Sequence, residues 1–287
     1  MSIRKRFLPP GWYPAGAERT TEVIQAMSAA LAAGKGSAGS PGVARVALGV
    51  AGIVPHAGWE FSGSLALEVM SYLSRSIDTI VIIGGHLGPS DGIVCAMEDG
   101  YETPLGPMAA DRELLGALGR AARLREDRSA DNSVEVQLPF ARYLFPHARV
   151  LCLRAAPSED ASALGKAIAA ACRQLGRKAA VVGSTDLTHY GPAYGFSPAG
   201  SGEKALSWMR DVNDRRFIEA LLQMDDTGAL GLARTERSAC SAGGALCAIS
   251  FAREMGVRAG RLLRYATSYE VHPADSFVGY AGVLYSP

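Results

Sequence analysis

The chain has 287 residues, of which 48% are hydrophobic and 20% charged, and its formal net charge is +1. This composition is typical of a globular protein with a sizeable core, and the near-neutral charge excludes an electrostatic basis for binding nucleic acid or anionic membranes. Its apolar runs stop well short of the about 18 residues that a membrane span needs. Prolines at positions 9 and 10 occupy the place of a signal peptide's apolar segment. We therefore predict a cytoplasmic protein without nucleic-acid or membrane partners.

The N-terminal part of the chain predicts an extended arm over residues 1–18, because Pro9, Pro10, Gly11 and Pro14 disfavour helix. A helix from Thr20 or Thr21 to about Ala33 is expected next. Residues 34–42 are rich in Gly, Ser and Pro and predict a surface loop. A strand over residues 43–54 and a helix over residues 64–74 then enclose a turn that contains His56.

The remainder alternates strand and helix patterns without a repeat or a domain-scale linker. Further strands are predicted at residues 78–83, 93–97, 148–153, 178–182, 261–269 and 277–285, and further helices at 111–122, 135–145, 159–175, 203–224 and 239–255. Continuous apolar strands of this kind are typical of parallel sheets covered on both faces. The sequence thus predicts an α/β fold, with residues 1–287 forming a single domain around a central, largely parallel β-sheet flanked by helices on both faces.

Three of the five histidines, His56, His86 and His189, each follow an apolar strand pattern. Open α/β sheets bind ligands outside the carboxyl ends of their strands, so these side chains are expected to converge at one edge. A single histidine in such a place is more often a packing residue, but three together favour a shared site. Imidazole is a ligand for Fe, Cu or Zn and an acid or base near pH 7.

Two carboxylates and one thiol lie in similar turns, and the residues alone leave their roles open. Glu135 is in the first turn of a predicted helix that Asn132 or Ser133 caps, or its carboxylate points inward and orients a histidine. Asp186 either caps its turn or holds a ligand. Cys240 lies where a loop of small residues opens a predicted helix, whose N-terminus favours the thiolate, although a lone cysteine is more often structural.

The five cysteines are odd in number, widely spread and without a Cys-x-x-Cys pair, which argues against a disulfide framework or a structural zinc site. Cys95, Cys152 and Cys172 lie in apolar strand or helix patterns, so we expect them to be buried. The two remaining histidines, His147 and His272, adjoin prolines, and we expect both to be exposed.

Several motifs occur in the right order over nearly the whole chain: Trp12-Tyr13-Pro14, Pro55-His56-Ala57-Gly58-Trp59, Phe61-Ser62-Gly63, Gly85-His86, Asn132-Ser133-Val134-Glu135-Val136-Gln137-Leu138-Pro139-Phe140, Ser184-Thr185-Asp186-Leu187-Thr188-His189-Tyr190, Cys240 and Val278-Gly279-Tyr280-Ala281-Gly282. In these motifs the chain resembles the Memo family, also called AmmeMemoRadiSam system protein B. That family is similar in fold to the class III, LigB-type extradiol dioxygenases, so the resemblance implies a three-layer α/β/α fold.

The resemblance implies metal ligands at His56, His86 and Cys240, and an acid/base role for His189. Where the dioxygenases have a carboxylate ligand to Fe(II), Memo-like proteins and this chain have Cys240. A thiolate is a softer donor, so Cu or Zn are expected alternatives to the favoured Fe(II). The chain departs from the family at Asn132, where a histidine is usual, and at Ser241, where glycine is common.

Three functions follow as hypotheses. In the first, a dioxygenase-like oxidoreductase acts on a catechol-like substrate, with His189 as acid/base and with Glu135 and Asp186 orienting the metal ligands. In the second, the same pocket binds a peptide and the protein is a non-catalytic scaffold; the resemblance also implies a radical-enzyme system partner. In the third, the metal is zinc and the protein is a hydrolase.

Overall fold

The computed structural model describes residues 2–34 and 48–287. The strands of these residues are β1 (Ile3–Arg4), β2 (Ala51–Val54), β3 (Thr79–Gly84), β4 (Ile93–Cys95), β5 (Gly100–Tyr101), β6 (Met108–Ala109), β7 (Leu124–Glu126), β8 (Arg149–Ala155), β9 (Ala179–Ser184), β10 (His189–Tyr190), β11 (Gly260–Thr267) and β12 (Phe277–Tyr285). The helices are α1 (Ala17–Ala32), α2 (Ser64–Ser71), α3 (Arg112–Ala121), α4 (Asn132–Glu135), α5 (Leu138–Leu144), α6 (Glu159–Leu175), α7 (Gly202–Trp208), α8 (Arg215–Leu222), α9 (Asp226–Thr235), α10 (Ala242–Glu254) and α11 (Ser268–Val271). None of the helices in the described ranges is long and apolar enough to cross a membrane.

Nine of the strands in the described part of the chain form one sheet, in the order β10-β12-β2-β9-β3-β8-β4-β7, with β11 on the outer side of β12. Its four central strands, β2, β9, β3 and β8, are parallel to one another. On either side of them, β12 and β4 join in antiparallel pairs. The predicted central parallel sheet is therefore confirmed. The parallel strands place the carboxyl ends of β2, β3 and β9 at the same edge.

Helices cover both faces of this sheet, as predicted. Along β3, Val81 and Ile83 face a core shared with α3, α6, α8, α9 and α10. The alternate side chains, Ile80 and Ile82, face a second core shared with α1, α2 and α5. Successive strand side chains point to opposite faces, so a continuously apolar strand is what a sheet buried on both sides requires.

The N-terminal arm packs on the body, but it is shorter and more regular than predicted. β1 pairs in parallel with β5, and the short β6 completes a three-stranded sheet. The carbonyl of Trp12 accepts a hydrogen bond from the backbone N–H of Trp59 at 2.8 Å. Helix α1 begins at Ala17 rather than at Thr20 or Thr21, and the Thr20 hydroxyl does not cap the helix but lies 3.0 and 2.8 Å from the carbonyls of Pro14 and Gly16.

Other element boundaries also differ from prediction. The predicted helix 203–224 consists of α7, a π-helical stretch (Met209–Asp214) and α8. The helix after Cys240 begins three residues later than predicted, at Ala242, so Cys240 itself lies in the preceding loop. Residues 35–47 lie outside the described residues. They include the predicted loop 34–42 from residue 35 onward and the first part, residues 43–47, of the predicted strand 43–54.

Candidate metal centre

Three side chains from distant parts of the chain meet at the carboxyl edge of the sheet. His56 follows β2, His86 follows β3, and Cys240 precedes α10. The Nε2 atom of His56 lies 3.1 Å from His86 Nε2 and 3.2 Å from Cys240 Sγ. The ligand atoms of the three residues all lie within 4.8 Å of one another. The structure therefore brings together the three positions expected to bind a metal.

Hydrogen bonds at the other ring nitrogens orient both histidines. His56 Nδ1 lies 3.2 Å from Ser184 Oγ at the end of β9, and His86 Nδ1 lies 3.1 Å from Asp131 Oδ2. The backbone N–H of His56 also donates to Asp186 Oδ1 at 2.7 Å. Metal-bound histidines usually have a partner of this kind on the second nitrogen, which leaves the first nitrogen for the metal.

Asp131 and Arg154 are functional candidates that the sequence analysis missed. Arg154, at the end of β8, donates to Asp131 Oδ2 at 3.1 Å and to the carbonyl of Gly85 at 3.2 Å. Its other nitrogens form an ion pair with both oxygens of Asp127 at 2.7 and 2.9 Å. The Arg154 side chain is only 7% exposed. A charged residue within the apolar run 150–155 was the available signal, since such a residue is rarely buried without a partner.

Close packing of two loops positions Cys240 beside the histidines. A Cβ atom on Gly85 would lie 2.6 Å from Cβ of Ser241, so only glycine permits this approach. The Ser241 hydroxyl accepts the N–H of His86 at 3.2 Å, and the Ser241 N–H donates to Thr185 Oγ1 at 3.1 Å. These contacts of Gly85 and Ser241 fix the position of Cys240 relative to the strand ends, and they do not involve the Cys240 side chain.

The electrostatics of the group favour an ionised thiol beside charged imidazoles. Burial alone would raise the pKa of Cys240, but the neighbouring histidines outweigh it and hold that pKa well below its usual range. Burial alone would lower the pKa of His56, yet Asp186 and Cys240 raise it. For His86, Asp131 and Cys240 likewise outweigh burial and raise the pKa to about 10. A metal ion at this group would require the same thiolate and would displace protons from the imidazoles.

His189 and Asp186 lie next to the three-residue group. His189 Nε2 is 3.8 Å from Asp186 Oδ2, and these two residues with Cys240 form a second group whose ligand atoms lie within 4.8 Å of one another. His189 Nε2 is buried and has no hydrogen-bond partner among the described residues. Its ring meets the ring of Tyr194 edge-on, with centroids 4.8 Å apart. The structure thus places both predicted residues at the site.

Glu135 is not part of this group, and the expectation that it orients a histidine is wrong. Its carboxylate accepts the backbone N–H groups of Phe7 and Leu8, at 3.0 to 3.2 Å, and the hydroxyl of Tyr13 at 2.7 Å. Glu135 therefore holds the N-terminal arm, and Asp131 is the carboxylate that orients a histidine. Asn132, which replaces the usual family histidine, donates its amide to the carbonyl of His56 at 3.1 Å.

An open cavity of about 600 Å³ lies over the group. Its polar lining includes His56, His86, Asp186, His189 and Asn132, and its aromatic lining includes Trp12, Phe61, Tyr194 and Tyr280. His147 and His272 are both exposed, as predicted, but His272 also lines this cavity. The cavity is large enough for a small organic ligand.

The fold and this group define an α/β protein with a candidate His/His/Cys metal centre at the carboxyl edge of its central sheet. The family described as Memo-like protein matches residues 10–284, and the chain belongs to that family.

Relatives from three archaea support this membership, each described as a MEMO1 family protein. The relative from Thermococcus onnurineus is 35% identical over 250 residues, which cover 82% of this chain and 86% of the relative. The relative from Methanothermobacter thermautotrophicus is 35% identical over 240 residues, covering 80% of this chain and 82% of the relative. The relative from Pyrobaculum aerophilum is 30% identical over 99% of both chains.

Proposed function

We propose that the protein binds one metal ion through His56, His86 and Cys240, with Fe(II) favoured and Cu or Zn as alternatives. One observation carries this proposal: the three ligand atoms converge while the second ring nitrogen of each histidine is already hydrogen-bonded. The donor set fits such an ion, since imidazole and thiolate are ligands of Fe, Cu and Zn. The low thiol pKa of Cys240 also fits, because the thiolate is the form that binds metal.

The proposed chemistry is that of a dioxygenase-like oxidoreductase acting on a catechol-like substrate. A bound metal ion supplies Lewis acidity, which lowers the pKa of a substrate hydroxyl, and a redox-active ion supports oxygen chemistry. The aromatic lining of the large cavity, including Phe61 and Tyr280, suits a planar ring. His189 lines the cavity and would accept the hydroxyl proton in this reaction. Asp186, 3.8 Å away, stabilises the resulting imidazolium.

Metal analysis tests the binding proposal directly. Protein produced without metal supplementation and purified anaerobically is expected to contain about one metal ion per chain. His56→Ala and Cys240→Ala should each lower the metal affinity by at least about 100-fold, as expected for the loss of a ligand. The exposed His147→Ala is the matched control and should leave the metal content unchanged. Absence of bound metal, or equal affinity in all four proteins, would contradict the proposal.

Oxygen uptake tests the reaction. The iron-loaded protein is expected to consume O₂ with members of a catechol panel. His189→Gln should lower the rate by about 10²- to 10⁴-fold, the usual contribution of a general base, while the metal content stays the same. Oxygen uptake that is unchanged in this variant would refute the assigned role of His189. A cytoplasmic location fits this chemistry, because a thiolate ligand is best preserved in a reducing compartment.

A second candidate function is a non-catalytic scaffold that binds a peptide in the same cavity, with a radical-enzyme system as its partner. The size of the cavity and the position of Trp12 and Tyr194 on its wall favour this candidate. It predicts no oxygen uptake, together with saturable peptide binding that Phe61→Ala abolishes. A zinc hydrolase, the third candidate, would instead contain zinc in the metal analysis and use His189 as its base.

A further inference from the structure

A smaller cavity, of about 270 Å³, reaches the candidate metal centre from another side. Its lining residues are Leu187, His189, Tyr194, Ala233, Arg237, Ala239 and Cys240. Apart from Tyr194 and the two residues that it shares with the site, His189 and Cys240, the lining consists of small or apolar side chains and one arginine. This cavity therefore has its own chemical character, apolar within and positively charged where Arg237 is exposed.

The two cavities present different members of the proposed ligand set. His56 and His86 line the larger cavity, and Cys240 lines the smaller one. Two residues, His189 and Tyr194, line both cavities, and their rings meet edge-on. A solute in the smaller cavity consequently approaches the sulfur without passing through the larger one.

Arg237 forms no ion pair with a carboxylate among the described residues, and its sequence neighbour Glu236 pairs with Arg216 instead. The Arg237 guanidinium donates to the carbonyls of Gly195 and Tyr194, both at 3.2 Å, and lies 4.9 Å from the ring centre of Phe196. These contacts use only part of its five N–H donors. They hold the charge in place at the wall of the cavity, where it attracts anions.

We propose that this cavity is an entrance through which small anionic solutes, such as a short carboxylate or an inorganic anion of a few atoms, reach the Cys240 side of the site. The large cavity would then take the organic ligand, while the small one serves a second, smaller reactant. The inference extends the proposed function, but the access itself does not depend on a bound metal.

The test uses the metal-free full-length protein and two thiol reagents of opposite charge. A methanethiosulfonate reagent reacts when the cysteine sulfur attacks its sulfenyl sulfur, forming a mixed disulfide and releasing methanesulfinate. Cys95, Cys152, Cys172 and Cys247 are buried, so mass spectrometry is expected to find the modification on Cys240. The sulfonatoethyl reagent is negatively charged and the trimethylammonioethyl reagent is positively charged. Relative to its own rate with a small free thiol, the first should react faster than the second at low salt.

Arg237→Gln should lower the ratio of the rate with the negative reagent to the rate with the positive reagent by about tenfold. Added salt should lower the same ratio in the wild type. Arg234→Gln is the matched control, since it makes the same charge change on an exposed arginine outside both cavities. An equal rate ratio in Arg237→Gln and Arg234→Gln, or a wild-type ratio that shows no preference for the negative reagent, would overturn the role of Arg237. Protection of Cys240 by added metal reports separately on the proposed metal site, so the two proposals fail independently.

Steric blocking tests the route. Ala233→Phe narrows the small cavity and should slow both reagents by at least about tenfold, whereas Ala274→Phe narrows the large cavity and should have little effect. Ala239→Val serves as a second blocking variant if Ala233→Phe does not fold, as judged by circular dichroism. The expected result is slower modification in the Ala233 or Ala239 variant alone. Slower modification in the Ala274 variant instead would show that solutes reach Cys240 through the large cavity, and would overturn the inference.

Discussion

Oδ2 of Asp131 lies 3.1 Å from Nδ1 of His86, although 45 residues separate the two in sequence. The same carboxylate oxygen accepts a hydrogen bond from the buried Arg154. His86 is therefore held by a chain of charged groups that begins at the end of β8. A carboxylate in this position fixes the ring and raises the basicity of the nitrogen that faces the metal.

Asp131→Asn should weaken metal binding by about 10- to 100-fold, because the charge that supports His86 is lost. The fold should change little, since Asp131 is also the N-cap of α4 and asparagine caps helices equally well. Competition with a chelator measures the affinity. The matched control is Glu22→Gln, an acidic residue exposed on α1. Equal affinity in Asp131→Asn and the control would show that the carboxylate does not support the site.

Arg154→Met should destabilise the fold by about 3 to 5 kcal/mol, because it leaves the buried carboxylates of Asp127 and Asp131 without their partner. Burial raises the pKa of Asp127, but hydrogen bonds from Arg154 and Ser129 outweigh it and lower the pKa. Urea unfolding measures the effect. Arg128→Met, at a side chain that is 84% exposed, should change the free energy of unfolding by less than about 0.5 kcal/mol. Similar values for both variants would contradict the assigned role of Arg154.

Gly85→Ala should disturb the site, because its Cβ would meet Ser241 at 2.6 Å and push apart the two loops that carry His86 and Cys240. We expect at least about a tenfold loss of metal affinity and a destabilisation of about 1 to 3 kcal/mol, as for other overpacked positions. Gly116→Ala, in helix α3 with no atom within 4 Å of the added carbon, should instead stabilise the protein by up to about 1 kcal/mol. Calorimetry and metal titration of both variants check these opposite signs.

Ionisation of the buried Asp214 carboxyl group should lower the free energy of unfolding as the pH rises from about 4 to 7. Burial raises its pKa to about 7, although hydrogen bonds from Thr188 and Tyr265 oppose this. An aspartate in the unfolded chain has a pKa near 3.9. Between this pKa and the folded pKa, the folded state binds one proton more than the unfolded state, so the free energy of unfolding falls as the pH rises. The loss over this window should approach about 4 kcal/mol and should be complete above pH 7.

Asp214→Asn isolates this contribution, because asparagine has a similar shape and does not titrate. The free energy of unfolding of the wild type minus that of the variant should fall between pH 4.5 and 7.5. Urea unfolding of the metal-free proteins at several pH values gives this difference. A difference that is constant, or that rises with pH, would show that Asp214 is ionised in the folded protein.

Glu135→Ala should release the N-terminal arm and leave the metal centre intact. The substitution removes the acceptor for Phe7, Leu8 and Tyr13, so amide hydrogen exchange over residues 7–13 should become faster. Metal affinity should stay within about threefold of the wild type, in contrast to Asp131→Asn with its 10- to 100-fold loss. A loss of affinity in Glu135→Ala as large as that in Asp131→Asn would restore the histidine-orienting role that the structure contradicts.

The sequence predicted the central sheet and the strand-end histidines well, because both follow from local patterns. Apolar strands that alternate with helices imply a parallel sheet, and a parallel sheet brings the residues after β2, β3 and β9 to one edge. The family resemblance indicated Cys240 as a ligand. The spacing of residues along the chain does not predict that Cys240 lies beside His56. These local and family patterns account for all three proposed metal ligands.

The supporting residues were not predictable, because their contacts join distant segments. Asp131 precedes a helix, and helix capping is sufficient to explain an acidic residue there. Nothing in the local sequence indicates that the carboxylate of Asp131 contacts His86. The role of Glu135 was left open between helix capping and orienting a histidine, because the local pattern does not show the hydrogen-bond donor that the arm provides, Tyr13. The antiparallel edges of the sheet likewise depend on long-range pairing, such as that of β12 with β2.

X-ray absorption spectroscopy at the metal edge tests the central claim most directly, because it identifies the atoms bound to the ion. The metal-loaded protein is expected to show one sulfur ligand, from Cys240, together with imidazole nitrogen ligands from His56 and His86. Cys240→Ser should lose the sulfur contribution and keep the nitrogen one. A spectrum without sulfur in the wild-type protein, or one that is unchanged in Cys240→Ser, would contradict the proposed His/His/Cys centre.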